Sequence, residues 1–535
     1  MSSNLLVELF VEELPPKALK KLGDAFSAVL AESLRAQGLA GQDSVVTGFA
    51  TPRRLATHIS NVAARAADRS VAQKLMPVSV GLDATGNPTP ALLKKLGALG
   101  ADADAVANLR KEHDGKADIL YLDTVQAGAT LAEGLQKALE DAIAKLPIPK
   151  VMTYQLHGNC AQPGWDSVNF VRPVHGLVAL HGSEVVPVSA LGLQSGNVTH
   201  GHRFEAKVDP ITLQDADSYA RQLLEEGAVI VSFEQRRAEI VRQLNQAAAE
   251  QGLRPIEDEA LLDEVTALVE RPNVLLGQFE QEFLEVPQEC LILTMKANQK
   301  YFPLLDTQGK LTNKFLIVSN ISPADPSKVI GGNERVVRPR LADAKFFFDQ
   351  DRKKPLESRI PALDKVVYHN RLGTQGERVL RVQAIAREIG QELGGTALAA
   401  HAAQAARLAK ADLTTDMVGE FPELQGIMGR YYAQHDGFDD EIAHAIEDHY
   451  KPRFAGDALP RNMIGTCVAL ADKLETLVGL FGIGEKPTGE KDPFALRRHA
   501  LGVIRILAEN TLPLELDKLI SICCRTFETT LLSKL

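Results

Sequence analysis

The sequence predicts a multidomain α+β chain: a mixed α/β N-terminal region, an α+β middle and a helical second half. Three observations predict it. At 535 residues the chain exceeds what one hydrophobic core usually supports, so three or more domains are expected. Up to about residue 322, short apolar runs separated by Gly, Pro and Asn alternate irregularly with helical segments, the texture of α+β rather than of a regular parallel sheet. From residue 366 onward apolar positions recur at helical spacing. An apolar fraction of 45% and a charged fraction of 24% exclude wholesale disorder. A net charge of -10 argues against a chain that coats nucleic acid everywhere, while permitting local basic surfaces.

Residues 4 to 11 form a short apolar run with a polar break at Glu8, which reads as a strand. A turn through Leu14, Pro15 and Pro16 then opens a helix to about Leu34, with Leu19, Leu22, Phe26 and Leu30 on one face. Residues 45 to 64 read as a strand pair around Thr51 to Leu55, where Arg53 and Arg54 could grip phosphate or form surface ion pairs. Helices are expected over 90 to 98 and 129 to 145. Between 150 and 322, apolar runs at 176 to 180, 185 to 191 and 314 to 320 read as strands, interrupted by helical segments at 211 to 226, 233 to 251 and 259 to 269.

Two clusters in this middle part place imidazole beside guanidinium, a pairing suited to an anion or an RNA backbone. They are Arg172 with His175, and His200 and His202 with Arg203 and Phe204. On a strand His200 and His202 would share a face, as two metal ligands do, but no third ligand has suggestive spacing.

Residues 333 to 354 read as one short helix. Pro339 suits its first turn, Leu341, Ala344, Lys345, Phe348 and Arg352 follow at helical spacing, and Pro355 blocks continuation. Successive helical residues point about 100° apart, so Phe346, Phe347 and Phe348 cannot share one stripe, and protein is expected on more than one side. Arg335, Arg338, Arg340 and Lys345 crowd around it as solvated charges or phosphate contacts.

Helices follow over 379 to 393, 397 to 413, 441 to 449 and 464 to 480. Within this region His369, Asp412, His449 and Asp472 are residue types that would serve a metal site, yet Ala411 stands where a second histidine would be wanted. A last helix runs to about Glu509, and Arg497 and Arg498 near its start are further phosphate candidates or a helix-surface ion pair.

The five cysteines, Cys160, Cys290, Cys467, Cys523 and Cys524, show no Cys-x-x-Cys spacing, so neither a zinc site nor a disulfide framework is indicated. No secretory-type N-terminus and no long apolar run is present, and a reducing cytoplasm is the expected location. P-loop, Rossmann and Gly-x-Ser-x-Gly motifs are missing.

Ordered blocks across nearly the whole chain resemble the β subunit of bacterial two-subunit glycyl-tRNA synthetase. They include Glu12 to Lys17, Thr51 to Leu55, Lys145 to Lys150, Phe170 to His175, Gly201 to Phe204, Met295 to Pro303, the 333 to 354 stretch, Pro452 to Asp457, Ala469 to Leu474 and Asp492 to Arg498. The resemblance implies an α2β2 assembly in which the α subunit binds ATP, Mg and glycine and carries the chemistry. This chain would bind tRNA(Gly), hold no cofactor, metal or catalytic residue, and meet neither membrane nor DNA.

It also implies five parts: an N-terminal α+β region (1–150), a B3/B4-like α+β domain (151–325), a connector with the Arg-rich helix (326–365), an all-α HD-like domain (366–485) and the start of a helical body or tail (486–535). On the HD comparison, His369, Asp412 and Asp472 take ligand positions and Ala411 replaces a histidine, which argues against the alternative of a metal-dependent phosphohydrolase. Editing of mischarged tRNA by the B3/B4-like part is disfavoured, because a glycine pocket excludes larger amino acids sterically. The family usually continues into a C-terminal anticodon-binding domain, and that domain is expected to be absent from this sequence, which stops at Leu535.

Overall fold

The apolar N-terminal run forms strand Ser2–Val11, the middle strand of a sheet, and the sheet explains its polar break at Glu8. The computed structural model describes residues 2–83, 85–113, 115, 117–156 and 166–532, so Cys160 lies outside the described residues. Strand Ser2–Val11 pairs antiparallel with Arg54–Ala63 on one side and Val174–His181 on the other. Val46–Thr51 and Glu184–Val185 complete a five-stranded sheet at its two edges.

Strand side chains alternate between faces. Leu5, Val7, Leu9 and Val11 therefore enter one core together with helices Pro16–Ala36 and Leu131–Lys145. Leu6 enters a second core with Val178, Leu180 and Tyr219, and Glu8 shares that side fully buried. The first helix starts at Pro16, where the missing amide hydrogen costs nothing, and buries Leu19, Leu22, Phe26 and Leu30 as its spacing predicts. Helix Leu131–Lys145 opens on a capping box between Thr130 and Glu133. A smaller three-stranded sheet, Arg69–Pro77, Asp118–Gln126 and Arg110–His113, has a core of Leu92, Leu96, Leu120 and Leu122 around helix Pro90–Ala98.

The chain divides into two compact units, Met1–Ala247 with Glu257–Leu275 and Val318–Ala324, and Ala248–Ile256 with Leu276–Ile317 and Asp325–Leu535. The boundary expected at 150 falls inside a shared core, since strands Ser2–Val11 and Val174–His181 are direct neighbours. The stretch expected as a connector over 326–365 lies within the second unit.

Most of a four-stranded sheet, in the order Arg254–Pro255, Phe302–Leu305, Leu311–Ser319 and Asn273–Gln278, falls in that unit and is followed by helices. Gln375–Leu408 is two helices joined at Gly394 and Gly395, and Gly395 has φ +71°, which residues with a Cβ rarely adopt. Met463–Gly482 packs nearly all round, burying Asp472, Lys473 and Glu475 among apolar neighbours. Among the described residues no helix is long and apolar enough to cross a membrane.

Candidate functional site

The Arg-rich stretch is part of a 25-residue helix, Ser327–Asp351, with Pro339 in its interior rather than in its first turn. The periodic stripe begins upstream of the proline, at Val337, and continues through Leu341, Ala344 and Phe348, so packing holds the helix across the missing backbone hydrogen bond. Only one of the consecutive phenylalanines is buried. Phe348 stacks on Tyr432 with ring centroids 5.9 Å apart, Phe347 is half-buried, and Phe346 is 57% exposed, so protein does not cover this helix on several sides.

The basic residues on this helix divide into paired and unpaired groups. Arg338 bonds Glu280 at 2.6 Å, and Lys345 bridges Glu285 at 2.8 Å and Asp349 at 3.3 Å. The bond to Glu285 is the largest influence raising the Lys345 pKa. Arg335 and Arg340 are exposed, with no ion pair among the described residues. Arg497 and Arg498 are likewise exposed, in the first turn of helix Leu496–Glu509, with the Asp492 carboxylate close enough for their charges to help lower its pKa. The Asp492 carboxylate accepts the amides of Leu496 and Arg497 at 2.8 and 3.0 Å.

Arg53 and Arg54, adjacent in sequence, separate sharply. Arg54 is fully buried, its guanidinium 3.7 Å from Glu8 and 3.3 Å from Glu270, and it donates to the His200 carbonyl at 3.0 Å. Burial opposes its charge, but Glu270 and Glu8 outweigh burial and raise its pKa. Arg54 is therefore a core cation and not a phosphate contact. Glu8 also accepts hydrogen bonds from the hydroxyls of Thr199 and Tyr219. Arg53 stays half-buried over the Phe10 ring, 4.7 Å from its centroid.

The His200–His202 pair does not share a face. The strand there ends at Thr199, leaving His200 exposed against Asp209 at 2.9 Å and His202 buried.

In the second unit, Ala411 and Asp412 are fully buried in a short 3₁₀ turn. Asp412 Oδ2 accepts the amides of Gly426 and Gly429 at 2.5 and 3.0 Å, and burial pushes its pKa up to about 6 despite them. Asp472 pairs with Lys410 at 3.2 Å and Arg378 at 3.0 Å. Burial disfavours its charge, but these two cations overcome burial and hold its pKa far below the usual carboxylate range. Arg378 and Arg381 both bind Glu475, at 2.9 and 2.8 Å. His449 is buried, with Nδ1 against the Ile446 carbonyl at 2.6 Å, and burial followed by Lys410 drives its pKa well down.

His369 is half-buried against Phe494, ring centroids 5.8 Å apart, and its Nδ1 accepts the Arg371 amide. Among the described residues no three His, Cys, Asp or Glu side chains are grouped to hold a metal. Lys410, Arg378 and Glu475, which organise this centre, carry no spacing signal. Only the adjacency of Lys410 to Ala411 hints at it.

A family model described as the glycyl-tRNA synthetase beta subunit matches residues 5–535. The chain is 73% identical over 533 residues to the glycine–tRNA ligase beta subunit of Thiobacillus denitrificans, covering 100% of this chain and 75% of that protein. It is 73% identical over 536 residues to that of Dechloromonas aromatica, covering 98% and 75%, and 72% identical over 521 residues to that of Paracidovorax citrulli, covering 97% and 73%. These matches put a mixed α/β chain with arginine-bearing surface helices in the class of aminoacyl-tRNA synthetase subunits. The chain belongs to the glycyl-tRNA synthetase beta subunit family.

Proposed function

We propose that this chain holds tRNA(Gly) for an α subunit, in an α2β2 assembly of the cytoplasm that joins glycine to tRNA at the expense of ATP. The α subunit binds ATP, Mg and glycine and carries the chemistry. The observation that supports this division most is the pair Arg335 and Arg340, exposed on one helix without carboxylate partners. Free guanidinium groups at a surface suit phosphate oxygens. Arg497 and Arg498 supply a second exposed pair, beside Asp492.

The buried centre gives the phosphohydrolase reading no support, because the Asp472 carboxylate that a metal would need is already bound by Lys410 and Arg378. The test is reconstitution. The chain alone should give no glycine-dependent pyrophosphate exchange, and glycylation should appear when the α subunit is added. Exchange by the chain alone overturns the division of labour.

A further inference from the structure

Four segments far apart in sequence meet on one face of the first unit. The Phe10 ring has the Arg53 guanidinium 4.7 Å from its centroid and the His200 ring 5.1 Å away. One residue pair along, Glu12 takes Arg203 on one carboxylate oxygen at 3.3 Å and His175 on the other at 3.1 Å. Arg172 donates to the neighbouring Glu13 carbonyl at 3.0 Å. The anion-binding pairs read separately from the sequence are therefore one cluster, assembled because strands Ser2–Val11 and Val174–His181 are neighbours and because the turn after Thr199 folds back on Phe10.

Two features of this face are not accounted for by the ion pairs of the fold. Arg53 is half-buried, yet its guanidinium has no hydrogen-bond or carboxylate partner among the described residues, and its Nε is enclosed without one. Burial weakens its charge most, Glu270 and Glu12 partly restore it, and Arg203 and Arg54 weaken it further. Beside Arg203, Phe204 is 76% exposed. Its backbone is held by buried His202, whose Nδ1 accepts the amides of Phe204 and Glu205, both at 3.2 Å. A ring presented outward from a fixed turn, in a cluster that holds an arginine without an ion-pair partner, is the equipment of a single-strand platform: backbone phosphate on arginine, base face on aromatic. A protein hot spot would surround the ring with apolar groups, whereas Phe204 is flanked by Arg203 and Glu205.

We propose that Arg53 and Phe204 form a second RNA site, which takes a phosphodiester on Arg53 and stacks one unpaired base on Phe204. The inference rests on the tRNA-binding reading and adds where an unstacked nucleotide is held. It is tested with the whole chain by fluorescence anisotropy, using a short single-stranded RNA and an RNA duplex of equal phosphate count.

Phe204→Ala should weaken the single strand about tenfold and leave the duplex unchanged, with Phe204→Trp retaining affinity. Arg53→Gln should lower the salt slope for the single strand by about one unit. Because Arg53 packs on Phe10, the exposed Phe204 substitutions keep the test valid if Arg53→Gln misfolds. Unchanged single-strand affinity in Phe204→Ala overturns the site, as does weakened α-subunit association with RNA binding intact, which would make the face a protein contact. If Arg335→Ala and Arg340→Ala weaken tRNA(Gly) while Phe204→Ala affects no RNA, the site falls and the tRNA reading stands. A wild-type chain that binds no tRNA(Gly) removes both.

Discussion

The Lys410 ammonium lies 3.2 Å from the Asp472 carboxylate and 3.9 Å from the Tyr450 ring centroid. Burial lowers the Lys410 pKa to about 8, and the carboxylate partly offsets that effect. Lys410→Met removes one of the two cations that pair with the buried Asp472. We expect a loss of about 3 kcal/mol, the scale for breaking a buried pair from one side. Denaturant unfolding measures it, and Lys410→Met/Asp472→Asn should recover part of the loss. A single variant as stable as the wild type would mean that Lys410 is solvated.

The Asp412 carboxyl gives a pH dependence of definite sign. Burial raises its pKa to about 6 from 3.8, so between those values the folded chain binds more protons than the unfolded one. Its contribution to stability is complete below pH 3.8 and is lost as pH rises through about 6. The shift corresponds to about 2–3 kcal/mol. Asp412→Asn keeps an acceptor for the Gly426 and Gly429 amides and removes the titration. Its stability, relative to wild type, should therefore rise across that window, as read by unfolding at closely spaced pH values. A constant difference would exclude Asp412 as the source.

Arg54 distinguishes a core cation from a phosphate contact. Arg54→Met leaves Glu8 and Glu270 buried without their shared partner and should cost about 3–5 kcal/mol. Below its unfolding temperature the variant should keep the wild-type salt dependence of RNA binding, because the side chain reaches no surface. A slope reduced by one unit would instead place Arg54 on a phosphate.

Sequence periodicity showed the elements well where one face is buried. The helix from Pro16 and the strand pair around Thr51 stand where the apolar spacing puts them, and the spacing stripe of Leu341, Ala344 and Phe348 is the buried one. It failed where contacts are distant in sequence. Nothing local separates Arg53 from Arg54; the strand register does so, by setting Phe10 opposite Arg54 and aiming Arg54 inward at Glu8 and Glu270. Pro339 misled because a proline suits a first turn, yet an established stripe carries the helix through it. The cations around Asp472 come from two separate segments, so no spacing rule could gather them, whereas the alanine at position 411 was legible directly.

The arginines on helix Ser327–Asp351 should differ in their RNA contribution according to what they already hold. Arg335 and Arg340 have no carboxylate to give up, so each alanine substitution should weaken tRNA(Gly) binding and reduce the salt slope by about one unit if the residue neutralises one phosphate. Arg338 and Lys345 are already neutralised by Glu280 and by Glu285 with Asp349, and phosphate would have to displace those partners. Their alanine substitutions should change the slope by less than half a unit, roughly, since few counterions are released at a charge already paired. Affinity titrations over a range of salt concentrations separate the two classes. Equal slopes for Arg335→Ala and Arg338→Ala would show that pairing in the free chain does not decide which residues meet RNA.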